Sequence, residues 1–192
     1  MAGVRRGACV TLKILAISGS LRAASSNSAI LRVASRVAPA RITVEVYPGL
    51  DALPYFNPDL DRAFDDPRLP LPVRTLRSAI AGADAVLISS PEYAHGVSGM
   101  LKNALDWLVG GSEMVGKPVA LINTSPHATH AMAALSETLR TMTVTLVESA
   151  CLSVAMPRNQ GDDALAADIA LTTSLRAALV ALAGAAGTTP PG

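Results

Sequence analysis

Five short apolar runs alternate with stretches of helical periodicity, which is the pattern of a parallel α/β sheet. Runs at 12–18, 41–47, 85–90, 118–123 and 143–147 predict strands, and helical spacing predicts helices at 27–38, 73–82, 98–109 and 129–142. A last helix is predicted over 162–185, with Leu165, Ile169, Leu175, Leu179 and Leu182 on one stripe and Asp162 and Asp163 placed to cap its start. The first, third and fourth runs are continuously apolar, as in Ile14-Leu15-Ala16-Ile17 and Ala85-Val86-Leu87-Ile88. The second alternates Ile42, Val44 and Val46 with Arg41, Thr43 and Glu45, and the fifth alternates in the same way. Strands covered on both faces lose alternation, so the second and fifth form the edges. That predicts a doubly wound sheet in the order 2-1-3-4-5 rather than 3-2-1-4-5, where the second strand is internal.

The stretch from Pro48 to Pro72 breaks the pattern. It holds six of the thirteen prolines, half of the aromatic residues and a run of aspartates. Connections this long are functional or disordered, and the embedded Leu53-Pro54-Tyr55-Phe56 favours an ordered wall of a site or a subunit contact. The 192 residues have the length of one domain, with 1–11 and 187–192 as loose ends.

Half the residues are hydrophobic and 16% are charged, enough apolar surface to offset the entropy of ordering the chain. A net charge of +1 and 3% aromatic residues give nucleic acid neither a basic face nor stacking partners. Cys9 and Cys151 lie far apart without metal-type spacing, so a disulfide framework is excluded and a reducing compartment is expected. Lys13 interrupts the apolar run near the start, and no cleavage site follows it. Arg5-Arg6 leaves a twin-arginine signal as the alternative to a cytoplasmic protein. The apolar runs fall far short of the roughly 20 residues that span a bilayer.

Two segments carry chemistry. Ser18-Gly19-Ser20-Leu21-Arg22-Ala23-Ala24-Ser25-Ser26-Asn27 follows the first strand and opens the first helix. Hydroxyls, backbone N–H groups and a helix N-terminus make an anion site there, and Arg22 adds a two-pronged donor. Simple helix capping by Ser25, Ser26 and Asn27 is the competing reading. Neither G-x-G-x-x-G nor G-x-x-x-x-G-K-[ST] is present, so the expected anion is a terminal monophosphate held without metal. Ser89-Ser90-Pro91-Glu92-Tyr93-Ala94-His95-Gly96 follows the third strand, across the switch point where open sheets bind ligands.

Together, Gly19-Ser20-Leu21-Arg22-x-x-Ser25-x-Asn27 and Ser90-Pro91-Glu92-Tyr93 with Gly99-x-Leu101-Lys102-Asn103-Ala104-Leu105-Asp106-Trp107 closely resemble the NADPH-dependent FMN reductase family. The resemblance covers about residues 12–155. It implies a flavodoxin-like three-layer sandwich and an enzyme passing hydride from NADPH or NADH through FMN to a quinone, a flavin or a similar small acceptor. It further implies a homodimer or homotetramer. By that similarity Ser20, Arg22, Ser25, Ser26 and Asn27 surround the FMN phosphate. Pro91, Glu92, Tyr93 and Ala94 line the isoalloxazine through backbone atoms, and the loop from Thr124 to Ala128, with Ser125 and His127, supplies the third contact. The flavin carries the chemistry, so no catalytic side chain is named.

Three positions depart from the family pattern: Ala94 replaces Asn, Ser98 replaces Pro, and His127 and Ala128 replace a glycine pair. An imidazole at 127 either donates to the reduced flavin or projects into solvent. His127 and His130 lack the further ligands that zinc needs. Arg140 and Arg158 are candidates for a 2′-phosphate contact. The apolar surface of the helix at 98–109 is read as an oligomer contact. A flavodoxin-type electron carrier is the rival function, although such carriers are strongly acidic and this chain is not.

Overall fold

The computed structural model describes residues 11–156 and 160–188. Strands β1 (Leu12–Ser18), β2 (Ile42–Val46) and β3 (Ala85–Ser89) alternate with α1 (Ser26–Val37) and α2 (Leu71–Ala81). A two-stranded hairpin follows, β4 (Glu92–Tyr93) with β5 (Gly96–Val97), and then come α3 (Gly99–Val109), β6 (Pro118–Asn123) and α4 (Thr129–Thr141). The chain continues through β7 (Thr145–Leu146), β8 (Leu152–Ser153), α5 (Asp162–Ala167) and α6 (Ile169–Thr188). The parallel sheet runs β2-β1-β3-β6-β7, with β8 also paired to β6, which is the flavodoxin-like order. Loss of alternation thus identified the inner strands, β1, β3 and β6.

The pleat divides the core between two faces. Ile14, Ala16, Leu87 and Ile122 pack on α1, α5 and α6, while Leu15, Ile17, Val86 and Leu121 pack on α2, α3 and α4. Leu171, Leu175, Leu179 and Leu182 of α6 are buried in the first of these faces. By length and composition alone α6 is also apolar enough to cross a membrane, with a mean hydropathy of 1.6 over Ile169–Gly187.

Four expectations need correction. The predicted fifth strand is broken: Thr143 takes a positive φ of 59°, and a 3-10 turn at Glu148–Ala150 separates β7 from β8. Across that gap the Leu121 N–H donates to Cys151 Sγ at 3.4 Å, a thiol substituting for a missing ladder partner. The predicted final helix is two helices. Asp168 has extended backbone, and its carboxylate accepts from Leu171 N at 3.0 Å, starting α6 afresh. Asp162 and Asp163 make no side-chain cap on α5 and instead pair with Arg32 and Arg36 of α1. Gly187 and Thr188, expected to be loose, complete α6, while 1–10 and 189–192 lie outside the described residues.

The Pro48–Pro72 connection is ordered by α3 and α2. Asn103 accepts from Phe56 N at 2.8 Å and donates to the Pro54 carbonyl at 3.0 Å. Trp107, fully buried, donates to the same carbonyl at 2.8 Å and meets the Phe56 ring edge-on at 5.1 Å. The Arg77 guanidinium donates to the Trp107 carbonyl and pairs with Asp61 at 2.8 Å. Part of the apolar surface read as an oligomer contact is taken up within the chain, while Met100 stays half-buried. Leu101, Ala104, Leu105, Trp107 and Leu108 are buried within the chain, and Lys102 pairs with Asp106 on its own helix.

Candidate functional site

A cleft of about 780 Å³ opens at the C-terminal ends of β1, β3 and β6, the volume range of small-ligand sites. Three loops wall it: the turn from β1 into α1, the segment from β3 into the hairpin, and the turn from β6 into α4.

The first loop opens a helix N-terminus toward the cleft. Gly19 passes so close to β3 that a Cβ there would lie 2.5 Å from Ser90 Oγ and 3.0 Å from Ser90 Cα, and its N–H donates to the Ser89 carbonyl at 2.7 Å. Ser25 caps α1, accepting from Ser28 N at 3.3 Å. The N–H groups of Ser26 and Asn27, at the first turn, have no carbonyl four residues back within the helix. No acidic residue stands in that turn, so the positive end of the helix dipole is uncompensated by the chain. Ser20 Oγ accepts from Arg22 N at 3.3 Å, shaping the approach. The Arg22 side chain is exposed, lines the cleft and makes no ion pair among the described residues.

The second wall is the hairpin. Its two turn residues have positive φ, 49° at Ala94 and 60° at His95, a conformation for which a type I′ turn prefers Asn or Gly. Ala94 therefore sits in the family's asparagine position without the side chain that tolerates it. The Glu92 carboxylate reaches across to accept from Ala131 N at 2.8 Å, capping α4, whose own N-cap residue Ala128 makes no side-chain bond. The positive end of α4 is thus neutralised by the chain and that of α1 is not. His95 stacks on His130 with ring centroids 4.3 Å apart, tying the turn to the same helix end. Ser98 caps α3 by accepting from Leu101 N, so it performs the helix-starting role of the family's proline.

The third loop is pinned by Asn123, whose Oδ1 accepts from Ser125 N at 3.0 Å and whose Nδ2 donates to the Ala128 carbonyl. Asn27 joins all three walls: its buried carboxamide lies 2.8 Å from Ser89 Oγ and 3.1 Å from Thr124 Oγ1.

Ser20, Arg22, Ser25, Ser26, Asn27, Pro91, Glu92, Tyr93, Ser125 and His127 all line this cleft. Ala94 does not line it; it sits at the hairpin tip. Asn123 and Met156 line the cleft unforeseen, and Ser90 and Ala24, inside the two segments singled out above, line it without having been given a contact. Ser90 and Asn123 were legible as polar residues at the carboxyl ends of inner strands, whereas Ala24 and Met156 carry no sequence signal. Arg140 lies away from the cleft, near Glu137 and Glu148 at 3.6 and 3.7 Å, and Arg158 falls outside the described residues.

A doubly wound parallel sheet with a cleft at its switch point, where a helix N-terminus opens, has the flavodoxin-like architecture. Residues 12–159 match the sequence model of the NADPH-dependent FMN reductases, and the chain belongs to that family. It is 37% identical over 116 residues to a quinone reductase of Escherichia coli, a stretch covering 59% of this chain and 60% of that protein. An NAD(P)H-dependent FMN reductase of Pseudomonas aeruginosa matches with the same identity and coverage. The aligned stretch thus spans about 60% of the length of these curated relatives. Among solved structures, the flavoenzyme NAD(P)H:(acceptor) oxidoreductase FerB of Paracoccus denitrificans superposes with a TM-score of 0.68 at 28% identity, covering 90% of this chain and 98% of that one.

Proposed function

We propose that this protein is an FMN-dependent NAD(P)H oxidoreductase, passing hydride from NADPH or NADH through bound FMN to quinones, free flavin or similar small acceptors. The contrast between the two helix ends at the cleft carries the reading. The chain caps α4 with Glu92 but leaves the first turn of α1 open, beside the Arg22 guanidinium, which has no ion pair among the described residues. That is the electrostatics of a phosphate seat, and the approach of Gly19 to Ser90 brings the seat and the hairpin into one cleft.

The residues fit FMN. Ser20, Arg22, Ser25 and Ser26, with the open N–H groups of α1, would hold a terminal phosphate, and the backbone of Pro91 to Tyr93 with the Ser125–His127 turn would hold the ring. FMN, when bound, supplies the acceptance and release of hydride. The protein's own part is to seat the phosphate, fix the ring between two rigid loops and leave one side open. Tyr93, 58% exposed, stands at the rim where nicotinamide and acceptor would alternate.

The reading includes a cytoplasmic homodimer or homotetramer. Tyr55 supports assembly: the Asn103 clamp holds the backbone on both sides of it, and the residue is 92% exposed. Steady-state oxidation of NADPH and NADH with a quinone, and separately with ferricyanide, tests the function. Turnover with quinone is expected. A protein that binds FMN but turns over with neither nicotinamide is an electron carrier instead.

A further inference from the structure

Asn27 sits behind the cleft in a closed group of hydroxyl and carbonyl partners, and its role there rests on the FMN reading. Ser89 Oγ lies 2.8 Å from the Asn27 carboxamide atom assigned as oxygen and 2.9 Å from the Ile122 carbonyl oxygen. A hydroxyl has one proton, and a backbone carbonyl only accepts. If the Ser89 proton goes to Asn27, two oxygens without a proton between them face each other at 2.9 Å in a buried site. A half turn of the carboxamide resolves this, because oxygen and nitrogen exchange places within the same volume. The two amide protons then reach Ser89 Oγ and Thr124 Oγ1, at 2.8 and 3.1 Å, and Ser89 gives its own proton to Ile122. Every proton in the group is then used once, except that of Thr124.

Thr124 Oγ1 has no other protein partner among the described residues, and Thr124 lines the cleft. We propose that Asn27 and Ser89 act as positioning residues that fill the lone pair of Thr124 from behind and turn its O–H into the cleft, making Thr124 a hydrogen-bond donor to an acceptor oxygen of FMN. The rival arrangement keeps the Asn27 oxygen inward, with the Thr124 proton directed at it, and leaves the amide protons for the phosphate.

FMN affinity of the apoprotein, read by flavin fluorescence, separates the two, with thermal midpoints of the apo forms measured alongside. Thr124→Val is expected to weaken FMN binding about tenfold, the loss of one hydrogen bond that leaves its acceptor unpaired, and Thr124→Ser to stay within about twofold of the parent. In an Asn27→Asp background, where a carboxylate claims the Thr124 proton, adding Thr124→Val should cost less than about twofold more. Unchanged affinity for Thr124→Val, with a lowered apo midpoint, overturns the proposal and points the proton inward. Full additivity with Asn27→Asp overturns the positioning role of Asn27. A parent protein that binds no FMN overturns the functional reading and this inference together, whereas the other two results leave that reading standing.

Discussion

Gly19→Ala tests whether the cleft depends on the contact between the β1 turn and the end of β3. A Cβ at 19 would lie 2.5 Å from Ser90 Oγ, 2.8 Å from Ser90 Cβ and 3.0 Å from Ser90 Cα. The oxygen can rotate away, but Cβ and Cα are fixed to a central strand, so the two loops must separate by several tenths of an ångström. Overpacking of this kind costs about 1–3 kcal/mol, which in a chain of this size lowers the thermal midpoint by about 2–12 °C. The Gly19 N–H bond to the Ser89 carbonyl, 2.7 Å long, should stretch with it, and FMN affinity should fall as the phosphate seat moves off the ring loops. Calorimetry of the apoprotein gives the first quantity and flavin fluorescence the second. Ser90→Gly removes the two nearest atoms and leaves Cα at 3.0 Å, so the double variant should recover part of both losses. A Gly19→Ala protein with parental midpoint and parental FMN affinity would refute the close approach, as would a double variant worse than the sum of the single changes.

Other outcomes follow from single residues. Ala94→Gly removes the strain of φ 49° against the greater unfolded-state freedom of glycine, for a net stabilisation of about 0.5–1 kcal/mol; a lower midpoint in thermal unfolding would show the turn to be unstrained. The Arg32 guanidinium, bonded at 2.6 Å, holds the Asp162 carboxyl below its ordinary value. A lowered carboxyl stabilises the fold above its unfolded value and loses that contribution as the pH falls through the folded one. Asp162→Asn should therefore cost less than about 1 kcal/mol at neutral pH, with the gap to the parent closing below about pH 4 in acid unfolding curves. His127 lines the cleft, and His127→Gly should weaken FMN binding, read by flavin fluorescence; parental affinity would place the imidazole away from the ring.

Much of this architecture is written in local pattern. Continuous apolar runs in β1, β3 and β6 reported burial on both faces, and alternation in β2 reported an edge, because the pleat sends successive side chains to opposite sides. The first wall was legible only in part: hydroxyls, a glycine and an arginine between a strand and a helix suit an anion site or a capped helix start, and Ser25 does cap α1. What escaped was decided by distant partners. Nothing near Glu92 announces that its carboxylate caps a helix 39 residues away, and nothing near Pro54 announces that Asn103 and Trp107 will share its carbonyl. The apolar side of α3 looked surplus to one sheet face only because the Pro48–Pro72 wall it also serves has no periodicity to reveal it. The break at Asp168 was visible in principle, since an aspartate three residues before Leu171 is an ordinary helix start, but the apolar stripe runs straight across it.

The central claim, a bound FMN that nicotinamide reduces and a small acceptor reoxidises, is tested most directly by anaerobic titration of the FMN-loaded protein with NADPH and then NADH. The account predicts that the visible flavin band bleaches on addition of at least one of them, at one equivalent per site, and returns when a quinone is added. A protein that takes up no FMN, or whose bound flavin keeps its colour with both nicotinamides, would contradict it.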